Sequence, residues 1–183
     1  ENLLTAKGAA LSSSDAKKLD SFFAKLPANG FVSLLAYVDR SSATKKALQS
    51  LQRSLASALK VPVLSGFGPR YLHSIGQLYK GGPKQGIFVE FFVKDAKDLK
   101  IAGEVYGFSQ LKQAQAMGDY EAISSKGLPV LAVDLGSGLA TGFASFQKKL
   151  QAYLKAKRAA IDAVQAKQLA RQARAEASTP PLF

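Results

Sequence analysis

The chain has 183 residues, a mass of 19.4 kDa, 47% hydrophobic and 21% charged residues, enough for one globular domain or one domain and an appendage, and unlike a disordered chain. It holds no cysteine and one histidine, which excludes disulfides, thiol catalysis, cysteine-metal sites and His-pair mechanisms. Its 25 basic and 13 acidic residues give +12, and Lys148, Lys149, Lys155, Lys157, Arg158, Lys167, Arg171 and Arg174 face only Asp162 and Glu176 near the end; the body is therefore mildly basic and is not read as a nucleic-acid binder.

Glu1 in place of Met suggests a start that was trimmed or numbered from an internal point, and no signal segment is expected there. Residues 1–13 are Ala/Ser-rich and are expected to form an arm or linker. Ser14 is a plausible N-cap with Asp15 in the first turn, and Leu19, Phe22, Phe23 and Leu26 recur at helical spacing until Pro27 stops them. Phe31 to Val38 is a continuous apolar run of strand length, as in a strand buried on both faces. Ala43 to Lys60 is an amphipathic helix with Leu48, Leu51, Leu55 and Leu59 on one side, followed by a short strand, Val61 to Leu64.

Ser65 to Pro83 is a glycine-rich segment with mixed polar groups, and Gly86 to Val93 is another strand. Phe108 to Met117 and Asp119 to Ser125 read as two helical pieces split by Gly118. Leu128 to Leu135 is a strand whose early Pro129 suggests an edge or a strand start. Helix resumes at Leu139, with Phe143, Phe146, Leu150 and Leu154 as its stripe. Strands alternating with helices, without hairpin-length turns, predict an α/β fold with a mainly parallel sheet of four to five strands and a long C-terminal helix. No apolar run approaches the ~20 residues of a membrane span.

The Ser65–Pro83 segment carries the chemistry. It follows a strand, so it belongs at the carboxyl edge of the sheet, where such folds bind ligands. Gly66, Gly68, Gly81 and Gly82 would let backbone approach a ligand. Amides after Pro69, if a helix starts there, would suit a phosphate, with Arg70 as a bidentate clamp. His73 and Gln77 are four apart and would share a helix face. With Ser74 and Lys80 this is the mixture a sugar phosphate needs, including one group that titrates near neutrality. The same residues also fit an ordinary strand-to-helix loop with a structural His.

The run GFGPRYLHSIGQLYKGGPKQGIFVE closely resembles the C-terminal part of bifunctional transaldolase/glucose-6-phosphate isomerases. Weaker echoes are FVSLLAY at Phe31–Tyr37 and YGFSQLKQAQAMGD at Tyr106–Asp119. The resemblance spans roughly residues 29–150. It implies a three-layer, flavodoxin-like sugar-isomerase (SIS) fold, expected over about 14–155; beyond the resemblance, an Ala/Lys/Arg/Gln-rich composition of high helix propensity makes 156–183 a basic helical tail. It also implies glucose 6-phosphate/fructose 6-phosphate aldose–ketose isomerisation in a cytoplasmic, carbohydrate-metabolising enzyme without metal or organic cofactor. His73 matches the ring-opening acid/base and Lys112 an assisting Lys. Gly68, Arg70, Ser74, Gln77 and Lys80 would line the substrate site.

Ile75 and Tyr79 depart from the family's Thr and second His. None of the thirteen carboxylates stands in a context that marks it as the enediol base. Two readings follow: the C-terminal domain of a fusion enzyme, poorly active alone, or a non-catalytic SIS-fold binding or scaffold subunit attached through its basic tail. Either expects a protein partner or homodimer. Ile161, Val164 and Leu169 are sparse apolar points on the tail, which reads as a solvated helix or as an anchor to an acidic partner, and Thr179–Phe183 end it with an apolar tip.

Overall fold

A computed structural model describes residues 3–95 and 97–177. The uncharged run Phe31–Tyr37 forms strand β2, and its residues alternate between two buried faces. Val32, Leu34 and Ala36 enter one apolar cluster, while Leu35 and Tyr37 enter another on the opposite face. The partner strand β4, Gly86–Phe92, divides in the same way, with Ile87, Val89 and Phe91 against Phe88 and Glu90. Strands β1 (Leu3–Thr5), β3 (Val63–Phe67) and β5 (Val130–Asp134) complete a five-stranded sheet in the order β1-β5-β4-β2-β3. Every neighbouring pair is parallel.

Parallel neighbours need crossovers, and a single crossover hand sends connections of opposite direction to opposite faces. Accordingly α1 (Ser13–Phe23), α2 (Ser42–Leu59) and α5 (Leu139–Ala177) cover one face. A 3₁₀ turn (Arg70–His73), α3 (Gly76–Gly81) and α4 (Phe108–Ser125) cover the other. The result is an α/β fold of three layers in a flavodoxin-like arrangement. Leu48, Leu51 and Leu55 bury the stripe of α2, each contributing about 1.5–3 kcal/mol. The chain runs from β2 out to β3 and then back across β2 to β4, so the connections diverge between β2 and β4. The carboxyl ends of these two strands form the topological switch point.

Several local expectations are corrected. Within the segment expected to be an arm, Leu3–Thr5 pair with Ala132, Val133 and Asp134 as an edge strand. Its fixing is polar: Lys149 Nζ donates to Thr5 O at 3.0 Å and to Asp15 Oδ2 at 2.8 Å. The cap of α1 is Ser12, which accepts from Asp15 N at 3.0 Å, two residues before the expected one. Strand β3 runs on through Ser65 and Gly66 because β2 pairs with both.

Gly118 does not split α4. A helical glycine costs about 1 kcal/mol, and buried Ala116, Asp119 and Ile123 hold both halves to the sheet. Of the two expectations for Pro129 the strand start is the one met: it stands just before β5, which lies inside the sheet between β1 and β4, not at an edge. Helix α5 passes position 155 without a break, with Ile161 still packed against the core. The apolar tip Thr179–Phe183 lies outside the described residues.

Candidate functional site at the carboxyl edge

All five strands point the same way, so the segments after β2, β3 and β4 emerge together at one edge. The segment after β3 passes through a cis Gly68–Pro69 peptide into the Arg70–His73 turn. Arg70, His73, Ser74 and Gln77 are exposed. The turn lasts only four residues, so the amides after Pro69 do not open a long helix. Ser74 breaks the direction before α3 begins at Gly76. His73 and Gln77 therefore sit on different elements and not on one helix face. The Ser74 hydroxyl donates to Tyr71 O at 3.2 Å, a local bond. Among the described residues the side chains of Arg70, His73 and Gln77 have no intrachain partner.

The remaining expected site residues are engaged in the fold. A Cβ on Gly68 would meet the Tyr37 ring at 2.6 Å, and one on Gly66 would meet Tyr71 Cβ at 2.9 Å. These glycines make room for tyrosines, so the space expected for a ligand there is filled. Tyr79 is buried, and its hydroxyl accepts from fully buried Ser33 at 2.9 Å. Lys112, one turn into α4, pairs with Asp95 at 2.7 Å. The topology brings it to the same edge as His73, but its ammonium is spoken for. Lys80 points into the domain, with Nζ 2.5 Å from Asp119 Oδ1.

Lys80 leads to a group that sequence reasoning left unassigned. Under the Arg70–Lys80 segment, at the switch point, lie Tyr37, Glu90 and Asp119, each no more than 2% exposed. Glu90 Oε2 and both Asp119 oxygens are buried without an aligned hydrogen bond, although the Tyr37 hydroxyl acts on Asp119 and the Lys80 ammonium stands against its Oδ1. Burial pushes the Glu90 carboxyl up to about 8, slightly opposed by the Lys80 charge. Burial pushes Asp119 up to about 6, with the Tyr37 hydroxyl pulling the other way. Tyr37 is raised beyond the ordinary phenol range, by burial first and then by the Asp119 and Glu90 charges. Tyr71 donates its hydroxyl to that of Tyr37 at 3.4 Å. Burial lowers Lys80, and Glu90 partly offsets this.

The signal for this cluster was a carboxylate, Glu90, set inside the apolar run Phe88–Phe92 of a doubly buried strand. A cavity of about 460 Å³ lies elsewhere, at the amino edge of the other face, between Phe23, Leu26, Leu59, Tyr153 and Ile161. Among the described residues no cluster of three His, Asp or Glu stands ready to hold a metal. No helix among them is long and apolar enough to cross a membrane.

No protein-family model matches the chain. No curated protein matches it either. Among solved structures it is similar to the crystal structure of a hypothetical protein from Thermus thermophilus. The match has a TM-score of 0.60 and 16% identity, over 76% of this chain and 38% of that one. At that identity the likeness shows the fold alone. The chain spans little more than a third of that protein's length.

Proposed function

We propose that the chain is the C-terminal sugar-isomerase domain of a glucose-6-phosphate isomerase, one half of a site that a partner domain or second subunit completes. The observation that carries this reading is the Arg70–His73 turn, exposed at the carboxyl edge with an imidazole and a guanidinium unpartnered within the described residues. A guanidinium binds the phosphate as a bidentate fork. An imidazole can both accept and donate a proton, and so relays that of ring opening, taking it from the anomeric hydroxyl and returning it to the ring oxygen. The likeness of the GPRYLHS segment to transaldolase/isomerase fusions supports the same roles, and a cytoplasmic setting goes with them.

The enediol step needs a carboxylate that reaches C1 and C2 of the open sugar. Glu90 and Asp119 do not serve, because Glu90 Oε2 and both Asp119 oxygens are sealed from solvent. The base then comes from outside this chain, and the isolated chain has little activity. Calorimetry with fructose 6-phosphate tests the reading. Weak saturable binding, lost in Arg70→Ala and His73→Ala, and negligible turnover are expected. Robust turnover by the chain alone contradicts the half-site. Absence of binding favours the second reading, a non-catalytic binding or scaffold subunit. That reading draws on Gly68, Lys80 and Lys112 being occupied within the fold.

A further inference from the structure

The buried cluster has one ammonium for two carboxylates. Glu90 comes from β4, Asp119 from α4, Tyr37 from β2 and Lys80 from α3, while Tyr71 of the 3₁₀ turn bonds the Tyr37 hydroxyl. On β2 and β5 the residues level with Glu90 are Leu35 and Ala132, which bring no charge. The cluster is neutral only while one carboxyl keeps a proton. If Glu90 and Asp119 both ionise, one negative charge remains in a site closed to water, at a cost of several kcal/mol. Lys80 is the member that reaches solvent, with 29% of its side chain exposed against 1% for Asp119. The cover over the carboxylates is therefore thinnest where Lys80 and α3 lie. Helix α3 is six residues long and is joined to His73 by only Ser74 and Ile75. Its second anchor is Tyr79, held by Ser33.

We propose that Lys80, Asp119 and Glu90 are positioning residues for the His73 segment: they latch α3 and the preceding turn to the sheet while Glu90 keeps its proton, and release them when it leaves. The consequence for chemistry rests on the role proposed for His73, whereas the latch itself does not. The sign follows from linkage. A closed form that holds a proton its open form does not loses ground as pH rises, until the closed form also lets the proton go.

Amide hydrogen exchange over residues 70–81, corrected for the intrinsic rate, reads the latch without substrate. In the wild-type chain, protection of this segment falls by about tenfold per pH unit between pH 6 and 8, relative to α2 as the internal reference. In Glu90→Gln the segment follows α2 at every pH. Infrared spectroscopy of the wild type gives a second readout that needs no variant. A protonated-carboxyl band is present at pH 6.5 and disappears over the same range as the protection. Equal pH dependence in wild type and Glu90→Gln, or no such band at pH 6.5, overturns the proposal. Loss of sugar-phosphate binding with the exchange pattern intact would refute the isomerase reading and leave the latch standing.

Discussion

Replacing Gly68 by Ala separates a packing role at the head of the His73 segment from a role in ligand approach. The added methyl would stand 2.6 Å from Cε1 and Cζ of Tyr37 and 2.7 Å from Cε2, well inside the ~3.5–4.0 Å carbon–carbon optimum. The ring has nowhere to go. Tyr37 is fully buried, its hydroxyl is bonded by Tyr71 at 3.4 Å, and the Tyr71 ring packs edge-on at 6.1 Å. Gly68 has no left-handed φ, so in open space the change would stabilise by about 0.4–1 kcal/mol through the unfolded chain. Overpacking costs about 1–3 kcal/mol, which outweighs that gain over most of its range and leaves a net loss of up to about 2.5 kcal/mol. Urea denaturation reads this as a lower midpoint with an unchanged slope. Adding Tyr37→Leu removes the obstructing ring, and the double-mutant cycle should show a coupling of about 1 kcal/mol or more. A Gly68→Ala protein as stable as wild type, with no coupling to position 37, would refute the packing role and return the glycine to ligand approach.

Glu90→Gln alters the pH dependence of stability. The folded carboxyl titrates near 8 against an ordinary value of 4.5, so its contribution is full below pH 4.5 and is lost as pH rises to about 8. That span corresponds to about 5 kcal/mol, and relaxation around the ionised group brings it to about 3 kcal/mol. Chemical denaturation at pH 5 and 9 should show the wild type losing that amount relative to the variant; parallel losses would count against a protonated Glu90. Lys149→Met leaves Asp15 and Thr5 O without their ammonium, and the loss should be about 3 kcal/mol, measured by urea midpoint. In the wild type, burial raises Asp15, but the Lys149 and Ser12 bonds outweigh it and hold the group below its usual value. Its contribution is therefore present above pH 3.8 and is lost as pH falls further, so the stability gap between wild type and Lys149→Met should narrow below that pH.

Legibility followed the strength of the local pattern. FVSLLAY and GIFVEFF announce strands because doubly buried strands leave no place for alternation. The leucine stripe of α2 is equally direct. Leu3–Thr5 escaped because three residues, two of them exposed, carry too little period to read. Gly118 misled because propensity is a weak prior, overridden by the contacts that flank it. The site divided along the same line. Arg70 and His73 stand where a strand-to-helix loop at the carboxyl edge should place them, and sequence order alone puts them there. Lys80 and Gly68 were read for their chemistry, yet their side-chain environments depend on Asp119 and Tyr37, 39 and 31 positions away. Glu90 was visible as an oddity in an apolar strand. Its meaning required the sheet register and the helix laid over it.

One histidine in 183 residues gives one imidazole signal, and proton NMR of that signal during titration with fructose 6-phosphate near neutral pH is the most direct test of the half-site. A saturable displacement of the His73 resonance, abolished by Arg70→Ala, is expected. An imidazole that keeps its position and its titration curve at saturating sugar phosphate would contradict the half-site.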